Sequence, residues 1–244
     1  MSNALVIIPT YNECENIQAI IAAVFAQPKD FHLLIVDDGS PDGTATIVKT
    51  LQATYNTKEL QLHLMERAGK QGLGTAYIAG FRFGLEKGYD YLLEMDADFS
   101  HDPKDLNRLY ISCSEGGADL SIGSRYVTGV NVVNWPMSRV LLSYFASVYV
   151  RFITCMSIQD TTAGFVCYKR KVLETLQLDK IKLVGYGFQI AMKFNTWKYG
   201  FKIIEVPIIF TDRTLGASKM SSGIFKEAFF GVIGLKVGSW FTKY

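Results

Sequence analysis

The feature that most constrains this chain is a change of hydrophobic period that repeats along its first half. Short apolar runs, ALVIIP at 4–9, FHLLIV at 31–36 and LQLHLME at 60–66, read as strands. Between them the apolar residues recur at helical spacing. Ile17, Ile20, Ile21, Val24 and Phe25 mark one helix, and TATIVKTLQATY the next. GLGTAYIAGFRFGLEKG continues as a helix ending near Gly88, YDYLLEM as a fourth strand, PKDLNRLYISCSEG as a helix and DLSIGS as a fifth strand. Strand–helix alternation with short connections implies right-handed crossovers, hence an α/β fold with a mostly parallel sheet in three layers.

In such sheets ligands bind outside the carboxyl ends of the strands. The loops after strands one, two, four and five are PTYNE, DDGSPDGT, DADFSH and SRYVTG, so all four are expected on one edge. The second half is less regular: a long apolar helix at 139–158, then DTTAGFVCYKR, a helix around GYGFQIAMKFNTWKYG, a strand FKIIEVPIIF and the loop TDRTLGASKM. With no Pro- or Ser-rich linker and no internal repeat, one domain is the simplest reading.

Charge excludes little else. A net charge of +2 makes no electrostatic case for nucleic acid. The four cysteines are scattered without a C-x-x-C pair, against a zinc site or disulfide framework and in favour of a reducing compartment. The opening MSNALVIIPTYNE lacks a basic n-region, which argues against a signal peptide. Residues 140–158 approach the length of a bilayer span, but Arg151 and several hydroxyls interrupt them. The C-terminal IFKEAFFGVIGLKVGSWFTKY sets lysines beside aromatics, which suits a helix lying in a membrane interface. A core helix is the alternative for both stretches.

The strand-end loops carry the chemistry. Asp96 and Asp98 stand two apart, and in an extended segment that spacing points both carboxylates the same way. Two such oxygens can hold Mg²⁺ or Mn²⁺, with phosphate oxygens as further ligands; a polar loop is the plain alternative. Asp102 before Pro103 reads as a helix cap, and His101 as a loop residue. Asp37 and Asp38 either build the turn through Gly39, Ser40 and Pro41 or accept hydrogen bonds from a nucleoside. GKQGLGTAY has glycines at a helix start but neither a dinucleotide nor a P-loop pattern. Arg125, Arg139, Arg213 and Lys219 stand where an anion would need them; Arg213 and Lys219 share a Gly/Ser-containing loop that could fold over a phosphate.

The ordered set PTYNE, VDDGSPDGT, GLGTAY, DADFSHDP, GSRYVTG, DTTAGF, GYGFQI and DRTLGASKM resembles the dolichol-phosphate mannose synthases, inverting family-two glycosyltransferases with the glycosyltransferase A fold. The resemblance runs from Pro9 to about Ala228. It implies a catalytic domain over 1–228 that includes an interfacial helix at 139–158, and an amphipathic segment at 222–244. It also implies transfer of mannose from GDP-mannose to a polyprenyl phosphate with a divalent metal, Mg²⁺ or Mn²⁺, at the cytoplasmic face of a membrane. By the same resemblance Pro9, Tyr11, Glu13, Val36 and Asp38 hold the donor, Asp96 and Asp98 hold the metal beside Ala97, and Arg125, Arg213 and Lys219 contact phosphate. Arg139 and Ser143, with Arg125, would meet the lipid phosphate.

Three positions depart from the pattern. Ser100 replaces a glutamine that relatives carry, so as a metal ligand it would reach the ion through water. Ala191 stands where relatives have glutamate, and Val130 where a glycine is common. Transmembrane hairpins that some relatives append are missing, so attachment is expected to be peripheral. The rival readings are a UDP-glucose-dependent transferase acting on the same lipid, a nucleotidyltransferase, and a non-catalytic membrane-binding module.

Overall fold

The computed structural model describes residues 2–181, 183, 185–213, 222–242 and 244, with the side chains of 222–228 left out. The alternation read from the sequence is the architecture. In order come β1 (Ala4–Thr10), α1 (Ile17–Phe25), β2 (His32–Asp37), α2 (Thr44–Tyr55), β3 (Leu62–Glu66), α3 (Leu73–Glu86), β4 (Tyr91–Glu94), α4 (Asp105–Ser114) and β5 (Leu120–Ser124). Then follow β6 (Val132–Val133), α5 (Met137–Thr154), β7 (Val166–Lys169), α6 (Arg170–Thr175), α7 (Gly185–Lys198), β8 (Ile203–Pro207), β9 (Phe210–Thr211) and α8 (Ser222–Gly238).

Seven strands form one sheet in the order β3-β2-β1-β4-β7-β5-β8. All neighbours are parallel except β7, which runs antiparallel to both β4 and β5. Two reversals cancel, so β5 points the same way as β1, β2 and β4. Their four following loops therefore gather on one edge, as the strand-end rule expects.

The continuous apolar runs are buried on both faces. Along β1, Leu5 and Ile7 join the core layer that contains Phe81, Phe188 and Phe194, while Ala4, Val6 and Ile8 join the layer with Ile20, Val24 and Leu109. The glycines of α3 serve this packing. A Cβ on Gly80 would stand 2.6 Å from Ile7 Cγ2, and one on Gly84 would stand 2.3 Å from Leu92 Cδ2. Close helix–sheet approach, more than close ligand approach, is what those glycines allow.

The structure adds to the sequence reading in two places. β7, the VCYK of DTTAGFVCYKR, was not foreseen; four residues ending in lysine carry too little period to announce a strand. FKIIEVPIIF is two strands: β8 ends at Pro207, the Ile208 amide still donates to the Ser124 carbonyl at 3.0 Å, and from Phe210 the chain pairs elsewhere. β9 then pairs with β6 in a separate two-stranded sheet. The long apolar helix is α5, ending where Cys155 takes a left-handed φ of 65°. Among the described residues no helix is long and apolar enough to cross a membrane.

Candidate active site

The strand-end loops enclose a cleft of about 540 Å³. Its wall on the β1 side is Pro9, Thr10, Tyr11 and Glu13, and Lys70 lies over the Tyr11 ring at 5.1 Å. Behind them the two aspartates of DDGSPDGT divide their work. Asp37 accepts hydrogen bonds from Thr10 Oγ1 (2.9 Å), the Ser40 amide (2.8 Å) and Ser40 Oγ (2.5 Å), so it builds the turn. Asp38 lines the cleft, and Arg67 pins it through Nε at 2.6 Å and Nη2 at 2.5 Å, both to Oδ1. The Gln71 amide donates to Oδ2 at 3.3 Å. Val36 is fully buried in the core and is not among the cleft-lining residues.

Asp96, Ala97 and Asp98 form the floor beyond β4. Phe99 takes a left-handed φ of 58°, which turns the chain back so that the Ser100 amide donates to Asp98 Oδ1 at 3.1 Å. Arg213 Nη2 lies 2.9 Å from the other oxygen, Oδ2. The Asp96 amide donates to His101 Nδ1 at 3.4 Å. His101 is buried, stacked on Phe165 at 4.8 Å between centroids, and burial lowers its pKa to about 4. It is therefore a neutral ring that braces the loop, with Nδ1 as acceptor. Asp102 accepts the Lys104 amide at 3.0 Å, so it caps the turn leading into α4.

The cleft walls desolvate Asp96, and the adjacent Asp98 charge adds to this, pushing its pKa up to about 7. Such a pair gains from a cation. Among the described residues no group of three or more His, Cys, Asp or Glu could hold a metal ion, so the protein offers two hard carboxylates. That donor set fits Mg²⁺ or Mn²⁺, which keep water and phosphate oxygens as further ligands, and does not fit zinc. Ser100 is buried and does not line the cleft; its amide supports Asp98.

The basic residues part company. Arg125 is buried and spends Nε (2.7 Å), Nη2 (2.6 Å) and its amide (2.9 Å) on Asp160, with Thr162 Oγ1 a further acceptor at 2.9 Å. It borders the cleft as a held charge. Arg139 Nη1 donates to Asp212 Oδ1 at 2.7 Å, and its guanidinium lies 4.0 Å over Trp135. Lys219 lies outside the described residues.

A second cavity of about 390 Å³ opens between α5, α7 and α8, walled mainly by apolar residues such as Leu142, Phe145, Ala146, Val150, Phe229 and Val232. Ser143 also lines it and accepts the Tyr126 hydroxyl at 2.8 Å. The two cavities share Arg125, Trp135, Arg139, Thr162 and Tyr186, so the polar cleft runs into the apolar groove at Arg139. Around the groove, Phe152 (82% exposed), Phe230, Trp240 and Phe241 face outward.

The family model described as glycosyl transferase family 2 matches residues 5–177. The chain belongs to glycosyl transferase family 2. It is 48% identical to a polyprenol monophosphomannose synthase of Mycolicibacterium smegmatis over 97% of this chain and 86% of that protein. It is 47% identical to an undecaprenyl-phosphate mannosyltransferase of Micrococcus luteus over 92% of this chain and 90% of that one. Among solved structures, glucosyl-3-phosphoglycerate synthase from Mycobacterium tuberculosis, in complex with Mn²⁺, UDP-glucose and phosphoglyceric acid, superposes with a TM-score of 0.70 at 16% identity. The match covers 96% of this chain and 79% of that one. At that identity the likeness concerns the fold, which is glycosyltransferase A.

Within this family-2 cleft several residues escaped the sequence reading. Arg67 directly follows β3 on the same sheet edge, so the strand-end rule could have found it. Glu94 stands just before Asp96, Asp160 opens DTTAGF and Gln189 lies in GYGFQI, but only the fold shows what these residues and Lys193 bond to.

Proposed function

We propose that this family-2 transferase moves mannose from GDP-mannose to a polyprenyl phosphate, with inversion, at the cytoplasmic face of a membrane. One observation carries the reading: an acidic, arginine-bearing cleft continues into an apolar groove, with Arg139 at the junction. A phosphomonoester with a prenyl tail has that polarity, charge at one end and hydrocarbon at the other. The mannosyltransferase relatives support the sugar and the acceptor class. The exposed aromatics of α5 and the C-terminal segment support docking on a lipid surface, the amphipathic segment being 222–244.

Asp96 and Asp98 would hold Mg²⁺ or Mn²⁺, which when bound supplies charge for the donor diphosphate. Asp38, fixed by Arg67, receives the nucleoside, with Pro9, Tyr11 and Glu13 along its edge. Arg139, stacked on Trp135, orients the acceptor phosphate. A phosphomonoester has a second pKa of about 6 and is largely dianionic at neutral pH, so the nucleophile needs positioning more than a base. Its oxygen attacks the anomeric carbon from the face opposite the diphosphate, forming one C–O bond as the other breaks. The electron pair leaves with GDP, and Arg213 is close enough to Asp98 to meet that charge.

Incubation with radiolabelled GDP-mannose and a short-chain prenyl phosphate, with UDP-glucose in a parallel reaction, tests the proposal. A labelled mannosyl lipid with a β linkage is expected. Glucosyl lipid as the main product, or release of pyrophosphate in place of GDP, would overturn it.

A further inference from the structure

Beneath the cleft floor lies a buried chain of polar side chains that the mechanism above leaves unused. Glu94 at the end of β4 and Lys193 on α7 are both fully buried, and Gln189 lies between them with only 2% exposure. Gln189 Nε2 donates to Glu94 Oε2. Lys193 Nζ donates to the Gln189 side-chain oxygen Oε1 at 3.3 Å, to the Gln189 carbonyl at 3.3 Å and to the Ala163 carbonyl at 2.6 Å. Burial pushes the Glu94 carboxyl up and the Lys193 ammonium down, and the attraction between the two offsets only part of each shift.

The chain fixes which way the amide faces. An ammonium can only donate, so Oε1 points at Lys193, and Nε2, the other end of the same amide, donates to Glu94 Oε2. One N–H of Nε2 is then committed and one remains. Gln189 lines the cleft beside Ala163 and Gly164. A Cβ built on Gly164 would meet Gln189 Nε2 at 3.8 Å and no other heavy atom within 4 Å. The missing side chain at Gly164 therefore leaves the nitrogen approachable from the cleft.

Depth identifies the part of the ligand. β4 ends at Glu94 and Asp96 follows in the strand-end loop with its side chain 40% exposed, so Gln189, bonded to Glu94 and 2% exposed, lies at a deeper level of the cleft than the aspartates. If the aspartates face the diphosphate, what reaches the deeper level is the group beyond it.

We propose that Gln189 is a sugar-reading residue, its remaining Nε2–H donating to an oxygen of the donor's hexose, with Glu94 and Lys193 as the positioning residues that orient it. The inference rests on the reading of the cleft as a sugar-nucleotide site. It goes beyond that reading by assigning the hexose contact to a side chain of α7.

Calorimetric titration of the full chain with GDP and with GDP-mannose, each with Mg²⁺ and without acceptor, tests it. Gln189→Ala is expected to weaken GDP-mannose binding about three- to tenfold, the loss of one neutral hydrogen bond, and to leave GDP affinity within a factor of about two. Gly164→Ala, which screens Nε2 while leaving the Glu94–Gln189–Lys193 chain intact, is expected to show the same selective loss. It stands in for Gln189→Ala if that variant does not fold. Equal weakening of GDP and GDP-mannose, or no change in either, would overturn the assignment. Wild-type protein that binds neither GDP nor GDP-mannose would instead overturn the proposed function, and the inference with it.

Discussion

Replacing Asp160 with alanine is expected to cost about 3–5 kcal/mol of stability, because it leaves the Arg125 guanidinium buried without its counter-ion. Asp160 is fully buried and the Arg125 side chain is 7% exposed. The carboxylate accepts three hydrogen bonds from Arg125, at 2.9, 2.7 and 2.6 Å, so after the change only the Thr162 hydroxyl at 2.9 Å remains to the side chain. Three rings, those of Tyr126, Trp135 and Phe210, have centroids 5.3, 5.6 and 5.5 Å from the guanidinium carbon. Their attraction, roughly 1–2 kcal/mol each at a buried site, is already present in the wild type and replaces none of the loss. At about 2–4 °C per kcal/mol for a chain of this size, Tm should fall by about 6–20 °C. Urea unfolding at pH 7 with the slope m unchanged gives the number directly. The double variant Arg125→Met/Asp160→Leu removes both charges and is expected to recover most of the loss. A single-variant cost below about 1 kcal/mol, or a double variant no more stable than the single, would refute the claim that Arg125 is held chiefly by Asp160.

Burial lowers His63 to about 4, while the unfolded chain titrates near 6.5, so its contribution to stability is complete above about pH 6.5 and is lost as pH falls toward 4. His63→Leu should flatten the decline in urea midpoint over that window, with His32 and His101, whose pKa values burial also lowers, contributing to the part that remains. On α3, Gly84→Ala should lose about 1–2 kcal/mol through the 2.3 Å clash with Leu92. Gly234→Ala on α8, where a new Cβ meets nothing within 4 Å, should gain about 0.5–1 kcal/mol; paired melting curves read both signs. Asp98→Ala should abolish the Mg²⁺ dependence of GDP affinity in calorimetry, and an unchanged dependence would remove Asp98 from the metal site. Phe152→Ala combined with Phe230→Ala should reduce sedimentation with anionic vesicles at least tenfold, since each ring is largely exposed and worth about 2 kcal/mol when buried.

The sequence by itself determined the layered parallel sheet, because the switch between short apolar runs and helical spacing is local and repeats. It also placed Pro9, Tyr11, Glu13, Asp38, Asp96 and Asp98 at one edge, since that edge follows from strand direction alone. What it could not assign was the partner of each charge. Asp37 and Asp38 are neighbours with different tasks, set apart by Thr10 and Ser40 on the first and by Arg67, coming round from β3, on the second. Arg125 carried a phosphate signature in its motif, yet Asp160, thirty-five residues on, takes its amide, its Nε–H and an Nη2–H. Arg139 meets Asp212 across seventy-three positions, and Gln189 meets Glu94 across ninety-five. The junction of polar cleft and apolar groove likewise exists only once α5, α7 and α8 pack together. Hydrophobic period is read over a few residues and survives in the linear chain. A buried ion pair depends on two groups meeting in low dielectric, and that meeting is decided by the tertiary fold.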